Sequence, residues 1–556
     1  MRTLYRGGTV HSTDDAFATA LLVDHDTVAW LGSDEAAAGV ADGADRVVDL
    51  DGALVTPAFV DAHVHVTETG LLLRGLDLRA ARSVRQILDL VEAASRAGRG
   101  RPVLGHGWDE RLLAEGRPPT RGELDRASAG GVVYLCRVDA HSGVVSSALA
   151  HSSGADTHPG WDDSGRVERD AHHAARTATR AGLSTAARRD AQLAALHAAA
   201  AAGIASVHEM SNPHLGGRAD LLALAALAAD PDQPVVDVRA YYGELVADLE
   251  QARALLAALA AGGAQVAGLG GDLCVDGALG SRTAALREPY TDADPGSPAP
   301  RGHLYLTAEQ VRDHVVACTT AGTQAGFHVL GDAAVDVAVE GFRRAAERIG
   351  IAAVRGSRHR LEHLEVADAE AVARVADLGL TASVQPAFDA TWGGPDGMYA
   401  HRLGADRARS MNPFATLAAR GVPLALGSDS PVTPFAPWDA VRACVFHSEP
   451  EQRTSARAAF AAHTRGGRRA AGQDGEGVLR VGAPATFAVW AAGDLVVQAP
   501  DDRIQAWSTD PRSGTPGLPD LTPGTPAPTC LLTVRRGRTL FDAQAVATSS
   551  SGGGSL

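Results

Sequence analysis

Leu54-Val55-Thr56-Pro57-Ala58-Phe59-Val60-Asp61-Ala62-His63-Val64-His65 is the stretch that decides the fold. Its apolar run predicts a buried strand over Phe59–His65. Residues i and i+2 of a strand point the same way, so the imidazoles of His63 and His65 can converge on one metal ion.

From Phe59 onward, strand-like runs alternate with helical ones, the signature of a parallel α/β architecture. Eight strands are expected: Phe59–His65, Ala205–Met210, Val235–Tyr241, Asp272–Asp276, Gln324–His328, His359–His363, Thr381–Gln385 and Pro423–Asp429. Helical segments such as Asp190–Ala202, Glu250–Ala261, Thr307–Ala321, Ala334–Arg348 and Asp368–Asp377 separate most of them. The pattern reads as a (β/α)8 TIM-like barrel over 58–477, whose active site lies at the C-terminal strand ends. Between the first and second strands the chain is too long for one crossover, so an inserted subdomain is expected at about 66–185, roofing the barrel mouth. Short strands and turns in residues 1–57, and strand character again at Ala485–Trp490 and Leu531–Val534, predict a composite β-sandwich built from 1–57 and 478–545. Residues 500–528 are expected to be loop and 546–556 a disordered tail.

Composition narrows the partners. A formal charge of −15 argues against nucleic acid or an anionic membrane surface as the main partner, though charge alone does not identify a substrate; a small-molecule substrate is the expected partner. Five scattered cysteines without a CxxC pair suggest neither a disulfide framework nor a thiolate zinc site. The first residues lack an apolar signal segment and no apolar run approaches 18 residues, so a cytoplasmic protein is expected. A Walker lysine is impossible, because all 51 residues counted as Lys or Arg are Arg, and no GxSxG elbow is present.

Polar groups recur where the predicted strands end: His63 and His65 on the first, His328 on the fifth, His363 on the sixth and Asp429 on the eighth. Neutral imidazoles with a carboxylate suit Zn²⁺, and Fe²⁺ or Mn²⁺ are open alternatives. A bound ion lowers the pKa of its water to about 7, and Asp429 could take the proton and pass it to a leaving amine. Each residue alone has an ordinary explanation, such as a core histidine or a turn-starting aspartate; their joint placement favours a metal site.

The motifs Thr56-Pro57-Ala58-Phe59-Val60-Asp61-Ala62-His63-Val64-His65, Gly107-Trp108-Asp109, Arg137-Val138-Asp139-Ala140-His141, Ser206-Val207-His208-Glu209-Met210, Asp276-Gly277-Ala278-Leu279-Gly280-Ser281-Arg282, Phe327-His328-Val329-Leu330-Gly331-Asp332, Leu361-Glu362-His363 and Gly427-Ser428-Asp429-Ser430-Pro431 together resemble the amidohydrolase superfamily, in the branch of amidohydrolase family 3 typified by N-substituted formamide deformylase. The resemblance implies the barrel, the composite sandwich and the insertion. It also implies a metal-dependent hydrolase of non-peptide carbon–nitrogen bonds, in an amide, formamide or cyclic amidine, and a possible homodimer. Many relatives carry a carbamylated lysine where Asp272 stands. An Asp side chain on the same strand would end roughly 4–5 Å short of that position. One metal held by His63, His65, His328 and Asp429 is therefore expected, with His363 hydrogen-bonding the attacking water or the oxyanion. In a two-metal alternative, His363 becomes a ligand and Asp272 the bridge.

A further set is expected to shape the substrate pocket: Trp108, Asp139 and His141 from the insertion, His208 at the second strand end, and Arg282 as a carboxylate partner. Gln385 and Trp392 complete it, the latter in a glycine-rich loop that could act as a lid. Deamination or ester and lactone hydrolysis would use the same site. A silent ligand-binding relative is the reading from another class.

Overall fold

The computed structural model describes residues 1–293, 296–498, 507–508 and 516–544. The expected tail at 546–556 and part of the expected loop at 500–528 lie outside them. Eight parallel strands form one sheet in chain order: Phe59–Val64, Ile204–Ser211, Asp237–Tyr242, Val266–Leu269, Gln324–Val329, Arg360–His363, Thr381–Val384 and Leu424–Leu426. The sheet closes on itself just past the eighth strand. There the Asp429 N–H donates to the His63 carbonyl at 2.8 Å and the His65 N–H to the Ser430 carbonyl at 2.9 Å. His63, His65 and Asp429 thus sit on the seam that shuts the barrel.

Seven expected strands coincide with observed ones to within two residues at most ends. The fourth does not: it runs over Val266–Leu269, ahead of the expected Asp272–Asp276. Gly270 and Gly271 end it with φ of +144° and +81°, and a Cβ on Gly270 would lie 2.3 Å from the backbone nitrogen of Gly326. Only glycine permits that approach. Downstream, Cys274 makes a single parallel bridge to His328, so residues 272–276 run beside the fifth strand rather than in the barrel.

Helices fill the outside of the barrel and begin where local chemistry starts them. Ala308–Ala321 opens with a capping box between Thr307 and Gln310. At the N-terminal end of the barrel, Phe59 meets Trp438, Phe460 and Trp490 edge-on at 5.0, 5.4 and 5.7 Å. Trp490 belongs to Phe487–Ala491, which pairs antiparallel with Leu54–Pro57 on one side and Thr529–Arg535 on the other. Both chain ends therefore share one five-stranded sheet, beside a four-stranded sheet from residues 2–49. Between the first two barrel strands lies a separate five-stranded sheet: Leu76–Asp77, Val103–Trp108, Val133–Arg137, Ser142–Val145 and Arg166–Glu168, followed by helix Arg169–Ala181. Among the described residues, no helix is long and apolar enough to cross a membrane.

Candidate metal centre

His63 and His65 leave the first strand with their Nε2 atoms facing two carboxylates. Asp272 Oδ1 lies 3.3 Å from His63 Nε2, and Asp272 Oδ2 lies 3.3 Å from His65 Nε2. Asp429 Oδ1 lies 3.5 Å from His63 Nε2 and 3.2 Å from His65 Nε2. His63 Nε2 and Asp272 Oδ1 are buried without a hydrogen bond. Donors spaced this way without bonding to one another surround a common point. Four ligands about 2.0–2.1 Å from a tetrahedral ion sit about 3.3 Å apart. The residues therefore fit a divalent cation.

The expectation that Asp272 falls short is corrected here. Because the fourth strand stops at Leu269, the Gly270–Gly271 turn carries the backbone inward, and a short carboxylate reaches both histidines. Burial pushes the Asp272 carboxyl up, but the His65 and His63 imidazoles hold it well below the usual range. Burial is likewise overcome at Asp429, which His63 and His65 lower. Asp429 holds a left-handed backbone, φ 55°, that non-glycine residues rarely adopt.

Behind His63 stands a buried charged pair. Glu362 Oε2 accepts from His63 Nδ1 at 2.9 Å, which fixes the tautomer and leaves Nε2 free to ligate. Arg360 grips Glu362 through Nε at 2.8 Å and Nη2 at 3.0 Å, and also donates to the Ala62 carbonyl, Ser383 Oγ and His208 Nδ1. Its guanidinium lies 4.6 Å over the Tyr241 ring. Burial raises the Glu362 carboxyl, yet Arg360 and His63 bring it to about 2.

His363 and His328 stand on the open side, with rings 4.5 Å apart. His363 Nδ1 donates to Gln385 Oε1 at 2.7 Å, and burial lowers its pKa to about 4. A neutral ring with Nδ1 protonated turns an Nε2 lone pair outward. His63, Asp272 and His363 each offer a donor atom within 4.8 Å of the others, as do His63, His65 and Asp429. His328, expected as the fourth ligand, belongs to neither group; its ring lies 4.9 Å from that of His141.

A cavity of about 1060 Å³ joins this centre to the insertion, lined by His65, His141, Asp272, His328, His363 and Asp429 at one end. Beside it an apolar recess is formed by Leu279, Leu330, Phe388, Trp392, Met398 and Tyr399. Asp139 and His141 line both. Trp392 lines the recess, but as the last residue of helix Pro386–Trp392 rather than in a loop. The four other expected pocket residues line neither cavity. Trp108 is core of the inserted sheet, its Nε1 donating to the Leu135 carbonyl at 3.0 Å. His208 is buried beneath the centre against Arg360, and Arg282 forms a two-pronged pair with Asp292. Gln385 lines neither cavity and instead orients His363.

Arg360, Glu362, Glu365 and Arg176 carry no ligand spacing that marks them as functional. The first two could have been found from strand alternation, which puts charged residues 360 and 362 on one face of a buried strand. Glu365 lines the recess with one carboxyl oxygen unpartnered, and burial pushes its pKa to about 8.

Residues 46–541 match the family model described as Amidohydrolase family. The putative amidohydrolase YtcJ of Bacillus subtilis (strain 168) is 27% identical over 430 residues, covering 73% of this chain and 76% of that protein. N-substituted formamide deformylase of Arthrobacter pascens is 24% identical over 465 residues, covering 76% and 80%. The crystal structure of an uncharacterized metal-dependent hydrolase from Pyrococcus furiosus superposes with a TM-score of 0.69 at 27% identity, covering 88% of this chain and 98% of that one. With its barrel, its converging histidines and carboxylates and this match along most of its length, the chain belongs to the amidohydrolase family.

Proposed function

We propose that the protein hydrolyses a non-peptide carbon–nitrogen bond of a small molecule, in an amide, formamide or cyclic amidine. The observation that carries this reading is the convergence of Asp272 and Asp429 on the Nε2 atoms of His63 and His65. These four residues would hold one divalent ion, and two imidazoles with carboxylates suit Zn²⁺, with Fe²⁺ or Mn²⁺ compatible. A second ion would rest on His363 and share Asp272. When bound, such an ion supplies Lewis acidity and lowers the pKa of water to about 7.

The protein's own groups do the rest. Asp429, kept ionised by its histidine neighbours, accepts the proton of the attacking water and returns it to the leaving nitrogen. His363, fixed by Gln385, faces the reacting carbonyl from the open side. The apolar recess takes an uncharged substituent, while the larger cavity takes the other half of the substrate. The likeness to N-substituted formamide deformylase supports N-formyl and N-acyl amines as the first candidates.

The test is elemental analysis of protein purified without chelator or added metal, followed by a screen of N-formyl and N-acyl amines, with H63A/H65A alongside. About one ion per chain, with turnover and metal both lost in the double variant, supports the reading. Ammonia release would move it to deamination, and turnover of esters alone to an esterase. A folded, metal-free protein without turnover would sink it.

A further inference from the structure

Six arginines are buried among the described residues: Arg137, Arg176, Arg180, Arg360, Arg402 and Arg468. Five pair with carboxylates: Arg137 with Asp109, Glu110 and Asp139, Arg180 with Glu68, Arg360 with Glu362, Arg402 with Glu110 and Asp292, and Arg468 with Asp237 and Glu476. Arg176, 7% exposed, has no carboxylate within ion-pair distance among those residues. It lies on helix Arg169–Ala181 of the insertion and lines the large cavity. Its Nη2 donates to the Ala140 carbonyl and lies 3.4 Å from the His172 ring nitrogens, while Nε has no partner.

The carboxylate charge acting on Arg176, that of Glu68, is held directly by Arg180, and a buried guanidinium that has no carboxylate of its own is costly until an anion arrives. The cavity's inward carboxylates are already engaged: Glu68 by Arg180, Asp139 by Arg137, Glu244 by Arg218, and Asp272 and Asp429 by His63 and His65. Asp170, the remaining acidic lining residue, is exposed. His106 lines the same cavity, 8% exposed, with neither ring nitrogen hydrogen-bonded. Its ring lies close enough to feel the Arg176 charge, and it can donate one N–H to an anion in the same cavity. Ala140 adjoins His141, whose ring lies against His328, so Arg176 faces the insertion end of the cavity whose other end is the metal centre.

We propose that Arg176 and His106 form a carboxylate-binding subsite, so that the substrate carries a carboxylate on the side facing the insertion. This rests on the amidohydrolase reading for the reaction, and it narrows the substrate to acylated amines that bear an acid group. Arg176 makes the two-pronged contact and His106 supplies a further donor.

Binding can be measured without turnover. Calorimetry on the purified full chain would compare benzoate and succinate with their uncharged amides, benzamide and succinamide. The acids should bind at least about 10-fold tighter, the value of a hydrogen bond to a charged group. R176M should erase the difference while keeping its metal content and unfolding midpoint. R176K, which keeps the charge but not the fork, should retain part of it. Equal affinity for acid and amide in the unaltered protein overturns the subsite, whatever the variants do. So does undiminished acid binding in R176M, which would place the anion on the metal. Neither result bears on whether the enzyme hydrolyses neutral N-acyl amines, so the two readings fail separately.

Discussion

Asp272 sets one carboxylate oxygen against His63 and the other against His65, each at 3.3 Å. It therefore spans the two imidazoles that the first strand presents. The chain contains no lysine to carbamylate, and a glycine turn brings an aspartate to the histidines instead. D272N keeps the shape and removes the charge. Asp272 is proposed as a ligand rather than a residue behind one, so its loss should weaken metal binding by more than the roughly 10–100-fold typical of residues behind the ligands. Competition with a chromogenic chelator measures it. Unchanged affinity would return His328 to the ligand set, and a stoichiometry near two ions in the unaltered protein would make Asp272 a bridge.

Glu362 acts on the metal only through His63. E362Q can still accept from Nδ1, but it no longer stabilises the imidazole with a full charge and it strands Arg360. Metal affinity should fall about 10–100-fold. Removing one partner of a buried pair should also cost about 3–5 kcal/mol of stability. The pH dependence adds an independent readout. The folded Glu362 pKa, about 2, lies below its ordinary 4.5, so its contribution is present above pH 4.5 and lost as pH falls toward 2. That amounts to roughly 3 kcal/mol. Acid unfolding of the two proteins should thus converge between pH 4.5 and 2; parallel curves would refute the linkage.

Trp108 distinguishes a packing residue from a pocket residue. Its ring is enclosed by Leu78, Val103, Leu135 and their neighbours in the inserted sheet. W108A should cost about 3–5 kcal/mol, as large aromatic truncations in cores do. KM for any substrate found should change less than about twofold, since the ring does not line the cavity. Chemical denaturation and steady-state kinetics on the same preparation decide it. A large KM change with intact stability would restore the pocket role.

What could be read from the chain follows from which signals are local. Buried parallel strands announce themselves as short apolar runs, so Phe59–Val64, Gln324–Val329 and Thr381–Val384 were visible, and with them His63 and His328. The fourth strand was missed because Val266-Ala267-Gly268-Leu269 is short and carries a glycine, whereas Leu273 and Val275 mimic a strand just beyond it. That displacement produced the wrong reach for Asp272. Arg360 and Glu362 contradict the rule that charges avoid strand interiors, and only their mutual pairing inside the barrel reconciles them with it. Whether Trp108 or Arg176 faces a core or a cavity depends on how the insertion lies on the barrel, which periodicity does not encode.

Glu365 links the recess to stability. Burial raises its carboxyl to about 8 from an ordinary 4.5, so the group is neutral in the fold at pH 7 while it ionises freely in the unfolded chain. A raised folded pKa means that its contribution is fully present below pH 4.5 and lost as pH rises through 8. At pH 7 the loss is roughly 3 kcal/mol. E365Q cannot titrate, so the stability of the unaltered protein should fall relative to E365Q between pH 4.5 and 8 by about that amount. The glutamine keeps a polar group at the wall formed by Phe388, Trp392 and Tyr399 but cannot turn anionic. If the neutral acid donates a hydrogen bond to substrate, KM for the unaltered enzyme should rise above pH 8 while that of E365Q stays level. Unfolding free energies at pH 5 and 8, with KM over the same range, check both. A pH-independent stability difference would show that Glu365 is ionised in the fold and paired through a route other than its neutral form.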